Sequence, residues 1–178
     1  MIISGNAQRI LKILHLLAVS FWIGGYLSQV ILYYICTWAE SGDELFGVLR
    51  GSRFVGMFVV VYLGAYGSFF TGLAYSMCTH RGFFRHKWII IKWGTTVYLM
   101  IVGSYLLGPW SATMLETTQA IGLEALNDPD FILSRSRLLS FFTVHMFLFV
   151  ILTIVSVYKP WETAESIRLL NKKLRVEK

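Results

Sequence analysis

Lys12, His15, Lys92 and His145 lie inside otherwise apolar stretches of this 178-residue chain. An ionisable group in hydrocarbon costs on the order of 3 kcal/mol or more, so it turns toward the interior of a bundle and marks a candidate site. An imidazole in that setting can hold haem iron or relay a proton. A buried ammonium can neutralise a carboxylate or polarise a quinone oxygen. These are the side chains whose types permit chemistry, and all four depend on the apolar stretches that carry them.

Those stretches are residues 10–36, 54–78, 88–109 and 138–158. Each is long enough to cross a bilayer, which takes about 20 residues. The chain is 56% hydrophobic and 15% charged, against about 25% charged for a soluble domain. Residues 58–70 show no polar face, which a water-facing helix requires. The expected fold is therefore all-α: one integral membrane domain over residues 1–178, a four-helix bundle running up-down-up-down. Residues 37–53 are expected as a short loop. Residues 111–137 are the longest loop, with a surface helix near 114–126. Residues 162–178 are expected as a cytoplasmic amphipathic tail.

A net charge of +6 would point to nucleic acid in a soluble protein, but its distribution here is a membrane signal. Twelve of the 16 Lys and Arg residues fall on the side shared by the N-terminus, the second loop and the tail. Only Arg50, Arg53, Arg135 and Arg137 fall on the other. The positive-inside rule then places both termini in the cytoplasm. The surplus charge also suits anionic headgroups, so membrane lipid is an expected partner and nucleic acid is not. The first apolar stretch is too long for a signal peptide and is expected as a retained span. Cys36 and Cys78 should sit at opposite faces, beyond disulfide reach.

Along the first helix, His15, Ala18, Trp22, Gly25, Gln29 and Tyr33 share one face at the helical period. That stripe is small or polar on a greasy helix and should face the interior. His15 lies about 7 Å and Lys92 about 6 Å in from the cytoplasmic end, so the two match in depth. His15 is either a ligand or site base, or a hydrogen-bonded core histidine. Lys92 is either a site residue or a snorkelling one. His145 lies about 20 Å from the cytoplasmic edge, among Phe141, Phe142, Leu148 and Phe149. That aromatic wall suits a haem edge or a plainly packed ring. The depth difference of roughly 13 Å keeps His15 and His145 from sharing one iron.

Arg85 and His86, in the basic turn 79–87, form either a solvated cluster or a clamp for carboxylates such as haem propionates. The small residues Gly64, Gly67, Ser68, Thr71 and Gly72 fit close helix packing or a flat cofactor. The many tyrosines in the spans are candidate partners for a quinone carbonyl. Asp128 with Pro129 reads as a helix start. No phosphate-cradling glycine loop, metal-spaced cysteine pair or serine-nucleophile elbow occurs. His145-Met146 is a lone pair of soft-metal ligands.

The stretch from Ile10 to Gly25, with its LxxLHxxxxxxWxGG pattern, resembles the opening helix of a loose group of small bacterial membrane proteins. The group includes four-helix protoporphyrinogen oxidases that bind haem b, membrane proteins of the copper-resistance D type, and an uncharacterised family of integral membrane proteins. The segments Gly82–Trp93, Leu107–Trp110 and Val157–Trp161 look most like the uncharacterised family. In the oxidases a histidine of the first helix and a lysine of the third are the functional pair; these fall on His15 and Lys92. The oxidase third helix opens with Trp-x-His-x-Lys, whereas here His86 stands six residues before Lys92.

Together these features lead to the expectation of a b-type haem-binding redox protein of the bacterial cytoplasmic membrane. It would exchange electrons with a quinone and a redox partner protein, or oxidise a porphyrin. His15 and His145 are the metal ligands, Lys92 the catalytic residue, and Trp22, Arg85 and His86 further cofactor contacts. The competing expectations are a copper or small-solute transporter and a non-catalytic anchor or assembly subunit.

Overall fold

A computed structural model describes residues 4–78 and 87–158. Arg85, His86, most of the basic turn and the tail 162–178 lie outside the described residues. The rest is helical: α1 (Gly5–Ile35), α2 (Gly42–Cys78), α3 (Lys87–Ile121) and α4 (Pro129–Tyr158). Short 3₁₀ turns at Cys36–Trp38 and Gly122–Asn127 join α1 to α2 and α3 to α4. All four helices are long and apolar enough to cross a membrane. Their surface is apolar too: Ile10, Leu17, Leu27 and Ile31 of α1, and Val150, Ile151 and Ile154 of α4, are all half exposed or more. So continuous an apolar exterior is foreign to a soluble monomer.

Contacts between α1 and α2, and between α3 and α4, are antiparallel. His15 meets Thr71, Trp22 meets Gly64 and Gln29 meets Ser52, so α2 descends as α1 rises. Lys92 meets Ser156 and Tyr98 meets His145, which opposes α3 and α4. Aromatic rings fill the seam between α1 and α4: Trp22 lies 5.1 Å from Phe149, and Tyr26 4.9 Å from Phe142, both edge to face. Each such pair adds about 1 kcal/mol beyond area burial.

The helices exceed the spans read from sequence. Residues 42–53 are helix rather than loop; Ser41 caps α2, its hydroxyl accepting from Glu44 N–H at 3.2 Å. α3 passes straight through Pro109 to Ile121, so residues 111–121 belong to a spanning helix rather than a separate surface helix. Apolar burial explains the continuation: Leu45, Met114, Ala125 and Leu138 are fully buried where these extensions meet. Gly122 ends α3 with φ +62°. A Cβ at Gly42 would stand 2.8 Å from the Gly122 Cα, so the two turns touch backbone to backbone. Asp128 caps α4 as expected, its Oδ1 accepting from Asp130 N–H at 2.9 Å and Phe131 N–H at 3.0 Å.

Within α2, residues Val55–Tyr66 adopt the wider π-helical winding, seen in the bond from Gly67 N–H to the Tyr62 carbonyl. Such winding is rare and gathers at functional positions. It begins beside Gln29, which is buried and pairs twice with Ser52: its Nε2 donates to the Ser52 carbonyl at 2.8 Å, and its Oε1 accepts from the Ser52 hydroxyl at 2.6 Å. Gln29→Leu takes one partner from each Ser52 group in the interior, leaving the carbonyl with Val55 N–H and the hydroxyl with Tyr33. We expect a loss of about 2 kcal/mol, read as a lowered thermal midpoint in detergent. A loss below about 0.5 kcal/mol would mean that water satisfies Ser52 instead.

Candidate functional site

The interior stripe of α1 forms as its periodicity requires. Ala18, Trp22, Gly25, Gln29 and Tyr33 are buried, joined by Tyr26, and His15 is half-buried at its lower end. The small residues of α2 are taken up by this contact. A Cβ at Gly64 would lie 2.7 Å from the Trp22 Cα, one at Gly67 3.1 Å from the Ala18 Cβ, and one at Gly72 3.3 Å from the His15 Cε1. Helix packing accounts for them, and no flat cofactor can share that face.

His15 Nδ1 lies 3.0 Å from the Thr71 hydroxyl. That hydroxyl donates its single proton to the Gly67 carbonyl, so it accepts from His15. The ring is therefore held as the Nδ1–H tautomer. Lys92 sits at the same end of the bundle, within electrostatic reach of the ring. Its ammonium donates to the Ser156 hydroxyl of α4 at 2.7 Å and is half-buried. Ser68, one turn above Thr71, is buried with a hydroxyl that finds no partner. All four helices thus contribute a polar group here. A cation beside His15 repels a metal ion and attracts an anion or a carbonyl oxygen.

His145 occupies different surroundings. It is 6% exposed, with Phe141 3.9 Å away and Tyr98 at 6.0 Å, centroid to centroid. Its Nδ1 bonds the Phe141 carbonyl at 2.5 Å. A carbonyl only accepts, so Nδ1 carries the proton and the Nε2 lone pair remains available. That is how a ligating imidazole is usually held. The expected wall of four neighbours is corrected in part: Phe142 and Phe149 turn toward α1 and pack on Tyr26 and Trp22. Tyr98, which the sequence did not single out for this role, stacks on His145 from α3.

His145 opens on a groove of about 370 Å³, lined with Trp110, Ser136, Arg137, Ser140, Phe141 and Val144. Arg137 also lies over the Trp110 ring, 5.9 Å from its centroid. Arg135 is committed elsewhere, its Nε donating to the Tyr33 carbonyl at 2.6 Å near the C-terminus of α1, where a cation meets the helix dipole favourably. Met146 packs against the hydrophobic core, so the His145-Met146 pair does not converge on one point.

A larger cavity of about 760 Å³ lies between the helices, with Trp22 in its wall and neither His15 nor His145 among its lining residues. Trp22 lines this cavity and is not among the lining residues of the His145 groove. Among the described residues no three His, Cys, Asp or Glu side chains gather as a metal site. Cys36 and Cys78 are free thiols. Comparison with protein-family models, curated proteins and solved structures finds no match.

Proposed function

We propose that this chain is a multi-pass protein of the bacterial cytoplasmic membrane, its helices up-down-up-down and both termini inside. We propose further that it holds a b-type haem on His145 and works as a redox protein, exchanging electrons with a quinone and a partner protein or oxidising a porphyrin. The observation that carries this is the His145 ring itself: buried between aromatic rings, its Nδ1 proton anchored on a carbonyl, its side chain among those that line the groove. One or two axial imidazoles suffice for haem, so a gathering of three ligands is not required. Haem supplies the one-electron chemistry when bound.

The remaining roles belong to the chain. Phe141 and Tyr98 hold the imidazole plane and keep water from its faces. Arg137, two helical turns from His145 on the groove wall, offers a guanidinium to a carboxylate. At the other end, His15 and Lys92 present a hydrogen-bonding ring and a cation to a quinone oxygen or a porphyrin carboxylate. The cation beside His15 is why we place iron on His145 alone and give His15 the part of site base.

Colour tests this directly. The protein purified in mild detergent from haem-sufficient cells is expected to show a Soret band and a sharp α-band on reduction. A colourless preparation overturns the proposal.

A further inference from the structure

The larger of the two cavities has neither imidazole in its lining and has a chemistry of its own. It runs between α1, the π-wound part of α2, α3 and α4. Its walls are apolar, with Val60, Ala65, Leu99 and Leu138 buried around it. The one buried polar pair that it meets, Gln29 and Ser52, is closed upon itself and offers a ligand little. At about 760 Å³ it falls in the usual range for a small-molecule site.

Its rim is different. Arg50 and Arg53 both line it, three residues apart and hence neighbours on one helix face. Both are exposed. Among the described residues neither guanidinium is in an ion pair, although Asp43 and Glu44 stand in the first turn of the same helix. Arg50 rests only over the Phe46 ring, 5.9 Å from its centroid. An apolar slot below and two uncommitted guanidiniums above complement one kind of molecule. The guanidinium fork matches carboxylate and phosphate oxygens in pairs, and the slot takes hydrocarbon.

We propose that this cavity binds a single-chain membrane amphiphile with an anionic head, the head between Arg50 and Arg53 and the chain along Trp22 and Val60. The site is independent of haem on His145, and a colourless protein would retain it.

Bromine quenches tryptophan fluorescence on contact, and Trp22 lines the wall. The full chain in nonionic detergent is titrated with three brominated probes: a long-chain fatty carboxylate, a lysophosphatidate and an uncharged monoglyceride. A neutral isoprenoid quinone serves as competitor. Both anions are expected to quench saturably, at concentrations about tenfold below the monoglyceride, which is what one good charged contact contributes. Arg50→Gln/Arg53→Gln should abolish that preference. The Trp22→Phe variant should lose most of the saturable quenching. Gly108 lines the cavity, and a Cβ there meets nothing within 4 Å, so Gly108→Leu should fill the slot and weaken all three probes without harming the fold. Tighter binding of the carboxylate assigns the site to a free fatty acid, and of the phosphate to a phospholipid. Equal affinity for the uncharged probe, a preference that survives loss of both arginines, or displacement by the quinone more readily than by the anions overturns the proposal.

Discussion

Replacing His145 by alanine is expected to strip the protein of its haem absorbance, weakening haem retention by at least about a hundredfold. The imidazole has no substitute nearby: the other groove residues are Trp110, Ser136, Arg137, Ser140, Phe141 and Val144, none of which ligates haem iron well. His15→Ala should leave the Soret band in place, because His15 is bonded to Thr71 and has the Lys92 cation within electrostatic reach. Truncating a buried ring also leaves a hole costing roughly 3 kcal/mol. Loss of colour must therefore be separated from loss of fold. Free imidazole added to His145→Ala should enter that hole and restore the band, which a merely unfolded protein would not do. A full Soret band in His145→Ala, or its loss in His15→Ala alone, would move the iron to α1.

Gly64→Ala should be among the most damaging of the conservative changes. The new Cβ would lie 2.7 Å from the Trp22 Cα and 2.9 Å from the Trp22 nitrogen. Backbone cannot step aside as a flexible side chain can, so α1 and α2 must separate along their whole contact. We expect a cost of about 3 kcal/mol, the upper end for overpacking, seen as a large fall in the thermal midpoint in detergent. Gly24→Ala supplies the opposite sign. A Cβ at Gly24 meets nothing within 4 Å, and alanine is the better helix former by about 1 kcal/mol, so its midpoint should hold or rise. If the two glycines respond alike, α1 and α2 do not pack as described.

Helix α1 shows how much can be taken from residue order. Its small and polar stripe needed only the 3.6-residue period and the aversion of Gln29 and His15 to lipid, and those residues are the ones turned inward. The Asp128-Pro129 start of α4 was equally open, since a cap is a local device whose donor and acceptor lie within three residues. The lengths of the helices were not. Residues 42–53 read as a polar, mixed-charge loop because they leave the apolar span. They are helical because Leu45 and Leu49 find cover from distant parts of the chain. Pro109 read as a helix end, yet α3 continues through it to Ile121, where burial of Met114 outweighs one missing N–H.

The candidate site divides in the same way. Hydropathy alone marked His15, Lys92 and His145, because the cost of an ionisable group in oil attaches to the residue type, whatever its neighbours. What each ring touches was beyond such a reading. Tyr98 against His145, Ser156 under Lys92, and the cavity rimmed by Arg50 and Arg53 bring together residues 47 or more positions apart, or require the π winding of Val55–Tyr66. Such contacts arise from many small packing energies summed across four helices, and no local pattern in the chain carries that sum.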